Sequence, residues 1–493
     1  MMAIVKAKNR KMLLTLGLIL GATIIQFIGV NVSLHLSFLC LLLLFEYILI
    51  VKKLMICNGS NKLFDDGRFY VFTFMFMYSF IVPIYALLVD IAKNSIKVID
   101  MAAGRYYSLD AMISTVWMSV LLFAGIYAGL TTFSNVKFTI GNTYSCRNEE
   151  VKCWETRIVE RKKAHIWFAI ATVSTLYFLT PFIRGGFGVI KNGGSILDVN
   201  NAFSSQNESI LGTLISMLLG SDTMMLSTIA YLYHFFKSNA KKSRKAVVCF
   251  AIVAVHFVLM FATSRRAYSL MIIICACILY MQQYHEQGKK LPILIVIIMP
   301  VVFVVVYFAQ GVIQNGVSIR SMSFADILFQ FDGFGPYDAL LRASGEQPNI
   351  SMISNVIYGM FRNIPLVGKY IVGMFGIDPT KPPLYKWMAE RYSVYAYGGG
   401  LAYMPQLEAY VTCGYVGCFV FGSVYGSIFS RRYRDLANYF VIAISMTIAR
   451  GSLQVLFAEF WIGIFICYFI YERILVPLLI GKSISFGKRR NLL

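Results

Sequence analysis

The sequence predicts an all-α polytopic membrane protein with about twelve transmembrane helices and one long outer loop of short amphipathic or re-entrant helices. Three observations predict it. Hydrophobic residues make up 58% of the 493-residue chain and charged residues only 14%. Apolar runs of about 20 residues, enough to cross the hydrocarbon as helices, recur along the chain. One stretch, 310–403, interrupts that pattern for far longer than a turn requires.

The apolar runs centre near Leu20, Leu42, Met77, Leu121, Val173, Thr223, Val255, Cys275, Val302, Phe419, Ala443 and Phe465. They divide the chain into an N-terminal transmembrane region, 1–309, the long outer loop, 310–403, and a C-terminal transmembrane region with a cytoplasmic tail, 404–493. Orientation follows from the basic residues. With the N-terminus inside, the cytoplasmic segments hold about two thirds of the 45 lysines and arginines, and both termini are cytoplasmic. The net charge of +21 is then an orientation signal that also attracts anionic lipid, and no nucleic-acid partner is needed to explain it. The ten cysteines fall in helices or on the cytoplasmic side, so no disulfide or metal framework is expected.

The loop between the ninth and tenth runs mixes apolar segments, Ile327 to Phe331, Ile353 to Phe361 and Tyr370 to Phe375, with Gly, Pro, Asp and Arg. That mixture suits short helices lying along the membrane surface or dipping back into it. A separate water-soluble domain would need more residues to bury a core.

Arg265 and Arg266 sit between an apolar run ending near Thr263 and another beginning at Ala267. The spacer is too short to carry them far from the membrane. Arginine at bilayer depth costs roughly 2.5 to 3.5 kcal/mol, so a chain that keeps two there has a use for them. A guanidinium fork matches the oxygens of a phosphate bidentately, which points to anion binding. The alternative for either residue is a side chain that snorkels to the lipid headgroups. Arg320, in the long loop, and Arg450, in a break between the last two apolar runs, join the anion-binding candidates.

The outer face offers carboxylates but little histidine. Of the five histidines only His35 approaches it, which disfavours a serine or cysteine hydrolase with a histidine base. The acidic residues are spread along the loop rather than clustered as an ion-binding motif, so no metal and no cofactor is expected. What remains is anion stabilisation by fixed guanidinium groups, with one carboxylate as base. Glu408, just after a triple glycine, leads; Asp332 and Asp338 are rivals that can equally cap a following helix. Gly398, Gly399 and Gly400 let the backbone turn sharply or approach a ligand. Tyr397 beside them can stack on a sugar or simply mark an interface.

Three segments together resemble one family. Phe261-Ala-Thr-Ser-Arg-Arg-Ala-Tyr-Ser-Leu270 resembles the Ser/Thr and Arg element at a short external turn of the Wzy-type O-antigen polymerases. Tyr397-Gly-Gly-Gly-Leu-Ala-Tyr-Met-Pro-Gln-Leu-Glu-Ala-Tyr410, with Gly414-Tyr-Val-Gly417, resembles their glycine-rich approach to a late helix. Ile448-Ala-Arg-Gly-Ser452 resembles the Ala-Arg element before their last helix, notably in enterobacterial common antigen polymerases. The resemblance covers roughly Val255 to Phe469; the N-terminal half matches only in hydropathy.

The resemblance implies a GT-C-like glycosyltransferase bundle in the bacterial inner membrane with its active site facing the periplasm, which makes the outer loop, 310–403, periplasmic. Such an enzyme moves a growing glycan from undecaprenyl diphosphate onto another lipid-linked repeat unit. Arg265, Arg266, Arg450 and Arg320 would hold the diphosphate, and Glu408, Asp332 or Asp338 would take the acceptor's proton. Partners would be the lipid-linked oligosaccharide, membrane lipid and a chain-length-regulating co-polymerase. A flippase would have short outer loops and two similar halves. The ligases' catalytic histidine has no counterpart in the outer loop, and an O-acyltransferase would place its chemistry toward the cytoplasm.

Overall fold

The computed structural model describes residues 32–58, 60–88, 95–98, 105–133, 139–140, 151–181, 218–238, 240–262, 266–285, 335–362 and 404–481, with parts of 364–387 and a few single residues elsewhere. Helices dominate. They are α1 Val32–Asn58, α2 Gly67–Leu88, α3 Leu109–Phe133, α4 Val151–Pro181, α5 Ser221–Lys237, α6 Lys242–Ala262, α7 Arg266–His285, α8 Gly335–Ala343, α9 Ile353–Arg362, α10 Gly368–Met374, α11 Pro405–Ile428, α12 Asp435–Ala449 and α13 Leu453–Phe460. From α13 the chain continues as a π-helix, Trp461–Leu475, and ends in α14, Val476–Leu479. A small antiparallel ribbon departs from the helical pattern: β1 Ser95–Val98 pairs with β2 Arg105–Ser108, Ser95 opposite Ser108.

Among the described residues, five helical segments have the length and apolar composition to cross a membrane, Val32–Ile56, Gly67–Leu88, Asp110–Phe133, Pro405–Ile428 and Leu453–Leu479, of which Pro405–Ile428 is broken at Gly414. They cover the expected centres at Leu42, Met77, Leu121, Phe419 and Phe465. The centres at Val173, Thr223, Val255, Cys275 and Ala443 also fall in helices, while Leu20 and Val302 lie outside the described residues. Hydroxyls inside the apolar helices bond to their own backbone: Thr73 Oγ1 donates to the Phe69 carbonyl, and Ser79 Oγ to that of Met75. That satisfies each polar group locally.

The chain forms two compact units interleaved in sequence. One comprises Met1–Ile140, Phe303–Arg432 and Ser445–Phe457; the other comprises Gly141–Val302, Tyr433–Ile444 and Ala458–Leu493. In the first, α3 meets α11 backbone to backbone. Gly125 and Gly129 on α3 face Gly422 and Gly426 on α11, each pair spaced as Gly-x-x-x-Gly. A Cβ at these positions would lie 2.1, 2.3, 2.1 and 2.2 Å from the carbonyl oxygens of Phe419, Ser423, Leu122 and Ile126, respectively. No side chain fits. Such small-residue seams are how helices pack closely where the surroundings are as apolar as the helices.

Arg68 closes the far end of the same helix. Its Nε and Nη2 grip the Asp66 carboxylate at 2.9 and 2.7 Å, and Nη1 lies 3.4 Å from each of the carbonyls of Phe429, Ser430 and Arg431. The carbonyls just past the end of α11 thus meet a positive charge, close to the helix terminus whose dipole favours one. A residue that the sequence presents as part of an orientation signal is also a buried cap.

The second unit has a buried charged cluster. Glu472, near the end of the π-helix, accepts from Lys163 Nζ at 2.5 Å and from Trp167 Nε1 at 2.9 Å, both on α4. His234, on α5, places Nε2 3.1 Å from Glu472 Oε2 and Nδ1 2.6 Å from Glu160 Oε2. An ionised carboxylate only accepts, so an imidazole facing one through each nitrogen must donate twice. His234 is therefore an imidazolium, and two cations balance two anions. On α4, burial raises Glu160, but the His234 hydrogen bond and the charges of His234, Lys163 and Lys237 outweigh it and hold its carboxyl low. Burial likewise lowers Lys163, but Glu472 and Glu160 outweigh it and hold its ammonium high.

Candidate functional site

The region around Glu408 is assembled from three separated stretches of sequence. The first is α11. Its inner conformation is not that of one helix: Gly414 has φ 64° and ψ −153°. That left-handed backbone is open to glycine and costly for other residues. The break folds the chain back on itself. A Cβ at Gly417 would lie 2.3 Å from the Ala409 carbonyl oxygen, and Cys418 Sγ lies 3.5 Å from the Gln406 carbonyl. In a continuous helix residues eight and twelve apart would be separated by about 12 and 18 Å along the axis. So α11 is two arms, 405–413 and 415–428, and the longer spans about 21 Å against the roughly 30 Å of hydrocarbon.

A break inside an apolar helix leaves backbone groups that need partners. The second stretch supplies one. Asn349 donates its backbone N–H to the Val411 carbonyl at 2.8 Å, and Pro348 packs where a Gly414 side chain would be, its Cγ 3.1 Å from that Cβ position. The Asn349 side chain meanwhile caps the following turn, accepting from the Ser351 N–H at 3.0 Å. Beyond it α9 buries Asn355, Val356 and Gly359 on one face. Short helices are thus present where the loop sequence predicts them, at 353–362 and 368–374.

The third stretch is the Arg450 turn and the start of α13. Glu408, in the first turn of α11, is fully buried at 0% exposure. Its Oε2 accepts from the Leu453 backbone N–H at 2.7 Å, and its Oε1 accepts from Gln454 Nε2 at 3.1 Å. Leu453 opens α13, so the carboxylate satisfies one of the N–H groups that a helix start leaves unpaired and sits where the dipole favours negative charge. Gln454 in turn lies against α9: a Cβ on Gly359 would fall 1.9 Å from its Oε1. Phe361 and Phe457 pair their rings at 6.5 Å beside it. Arg450 is half-buried on the turn, its N–H bonded to the Met446 carbonyl at 3.2 Å. The Tyr425 hydroxyl, from the second arm of α11, reaches the Gly451 carbonyl at 3.5 Å.

Of the sequence-predicted residues, Glu408 is therefore joined to the Arg450 turn through Leu453 and Gln454. Arg266 opens α7 and Asp338 lies in α8, but their side chains fall outside the described residues, as do Arg265, Arg320, Asp332, Tyr397, Gly398, Gly399 and Gly400 altogether. Sequence reasoning passed over Gln454 and Gly359. Nothing local marks either: a glutamine two residues past Ser452 and a glycine in a loop helix become informative only once they touch. No family model matches the chain, and neither a curated protein nor a solved structure matches it.

Proposed function

We propose that the chain is an oligosaccharide repeat unit polymerase of a bacterial inner membrane, working on undecaprenyl-diphosphate-linked glycans at the periplasmic face through a GT-C-like multi-span bundle. The observation that carries this reading is the junction just described. Glu408, in one segment that resembles the polymerases, is hydrogen-bonded to Leu453 and Gln454, which directly follow another such segment, the Arg450 turn, and the loop helix α9 packs onto Gln454. A loop that closes over two membrane-helix elements suits a reaction whose lipid stays in the bilayer while its sugars lie outside.

The reaction needs no redox partner. The bond between the sugar's anomeric carbon and the diphosphate oxygen breaks, and a bond from that carbon to the acceptor hydroxyl oxygen forms. Undecaprenyl diphosphate leaves with the electron pair. Its charge grows as the bond breaks, which is where Arg265, Arg266, Arg450 and Arg320 act. The hydroxyl proton passes to a carboxylate, Asp332 or Asp338, since Glu408 is fully covered with both its oxygens engaged. A chain-length-regulating partner would act on the number of cycles.

The test is made in source cells lacking their own copy of the chain and complemented with Arg265→Ala or Arg450→Ala at equal expression. Loss of the long polysaccharide ladder, with single repeat units still reaching the outer face, is expected. Single units trapped inside would favour a transporter and overturn the reading. A normal ladder from both variants would overturn the diphosphate assignment.

A further inference from the structure

We propose that Glu408 is a positioning residue, and that with Gln454 and Gly359 it forms a latch fixing the turn that carries Arg450. As far as activity is its readout, the proposal rests on the polymerase reading above. Its structural content does not.

Four observations support the latch. Both oxygens of the Glu408 carboxylate are engaged by protein donors, and the side chain has no exposed surface. A base must reach the hydroxyl it deprotonates directly or through one water, and a fully covered carboxylate is poorly placed for that. One donor is the first N–H of α13, three residues past Arg450, so moving Glu408 moves the turn. The other donor, the Gln454 amide, occupies the space that a side chain on Gly359 would need. Gly359 belongs to α9, so the position of a loop helix is transmitted through one amide and one carboxylate to the Arg450 turn. Tyr425 holds the Gly451 carbonyl from the other arm of α11, leaving the turn fixed on two sides.

Chemistry separates this role from that of a base. In Glu408→Gln the amide oxygen still accepts from Leu453, and its NH2 faces the Gln454 oxygen once that amide rotates. The latch survives, and ladder formation should stay within about threefold of wild type. Loss of a general base would instead cost about 10²- to 10⁴-fold. Glu408→Ala should lose at least tenfold, because the start of α13 is no longer held.

A second measurement is independent of activity. In the purified full-length chain in detergent, melting of Glu408→Ala, Gln454→Ala and the double variant should be non-additive, as for groups in contact. Gly359→Ala should lower the melting temperature by displacing the Gln454 amide, and adding Gln454→Ala should lower it no further than Gln454→Ala does alone, with the ladder still lost. Additive melting, or an inactive but normally melting Glu408→Gln chain, overturns the proposal and returns Glu408 to the role of base. Wild-type chain that makes no ladder would sink the polymerase reading while leaving the melting cycle to judge the latch.

Discussion

Glu408 and Glu472 are both carboxylates buried in apolar helices, yet they are held by opposite means. Glu408 is met by neutral dipoles, a backbone N–H and a side-chain amide. Glu472 is met by a lysine, an imidazolium and an indole N–H, with Glu160 completing the charge balance. The difference teaches what each site resists. A neutral cradle keeps geometry and tolerates an isosteric amide, whereas a balanced charge cluster cannot lose one member without stranding the others.

The comparison can be broken most forcefully at Glu472. Glu472→Ala leaves Lys163 and His234 facing a missing partner, and should cost about 3 to 5 kcal/mol in detergent unfolding. A loss no greater than that of Glu408→Ala would mean that the cluster is not buried as a unit. Glu408→Ala should cost about 1 to 3 kcal/mol, the desolvation of donors left unpaired. Substituting glutamine sharpens the contrast: Glu408→Gln should cost less in unfolding than Glu408→Ala, because the amide oxygen still accepts from Leu453, while Glu472→Gln removes a charge from a balanced cluster and should cost more than Glu408→Gln.

Acidity gives the smallest effect and the clearest sign. Glu160 is held below its ordinary value of 4.5, so its contribution is fully present above that value and is lost as pH falls through the lower folded value. Lys163 is held above its ordinary 10.5, so its contribution is fully present below that value and is lost only as pH rises through the higher folded one. The melting difference between wild type and Glu160→Gln should therefore be present at pH 6 and shrink as pH falls below about 4.5. No difference at pH 6, where the His234 imidazolium and the Lys163 ammonium are both charged, would show that Glu160 is not paired with a cation.

How much of this was readable beforehand depends on whether the information is local. The helices around Leu42, Met77 and Leu121 were legible because a long apolar run dictates its own structure in a membrane. The α9 helix was legible for a related reason, its apolar residues recurring at helical spacing between turn formers. The fold-back at Gly414 was not. Hydropathy counts the apolar residues of 405–428 without sensing that one glycine adopts a left-handed conformation and that Asn349 repairs the resulting gap. The two Gly-x-x-x-Gly pairs were visible as spacing, but only their juxtaposition gives them meaning. Lys163 and Arg68 illustrate a different loss: tallied as cytoplasmic charge, Lys163 proves to have a distant anionic partner, Glu472, and Arg68, paired locally with Asp66, proves to meet distant carbonyls at 429–431. In the candidate site, Glu408 and Arg450 stood out by residue type, while Gln454 and Gly359 had no property to set them apart until the chain brought them together.

The glycine seam between α3 and the second arm of α11 restricts how this protein can vary. With a carbonyl oxygen little more than 2 Å from each imagined methyl group, Gly125, Gly129, Gly422 and Gly426 reduce the choice of residue to one. Neither helix can rotate or slide without driving backbone into backbone, so the pair behaves as a single strut. Gly414 is constrained for a different reason, its left-handed backbone, so a saturation library should reveal four rungs intolerant of any side chain beside a fifth intolerant position set by backbone conformation.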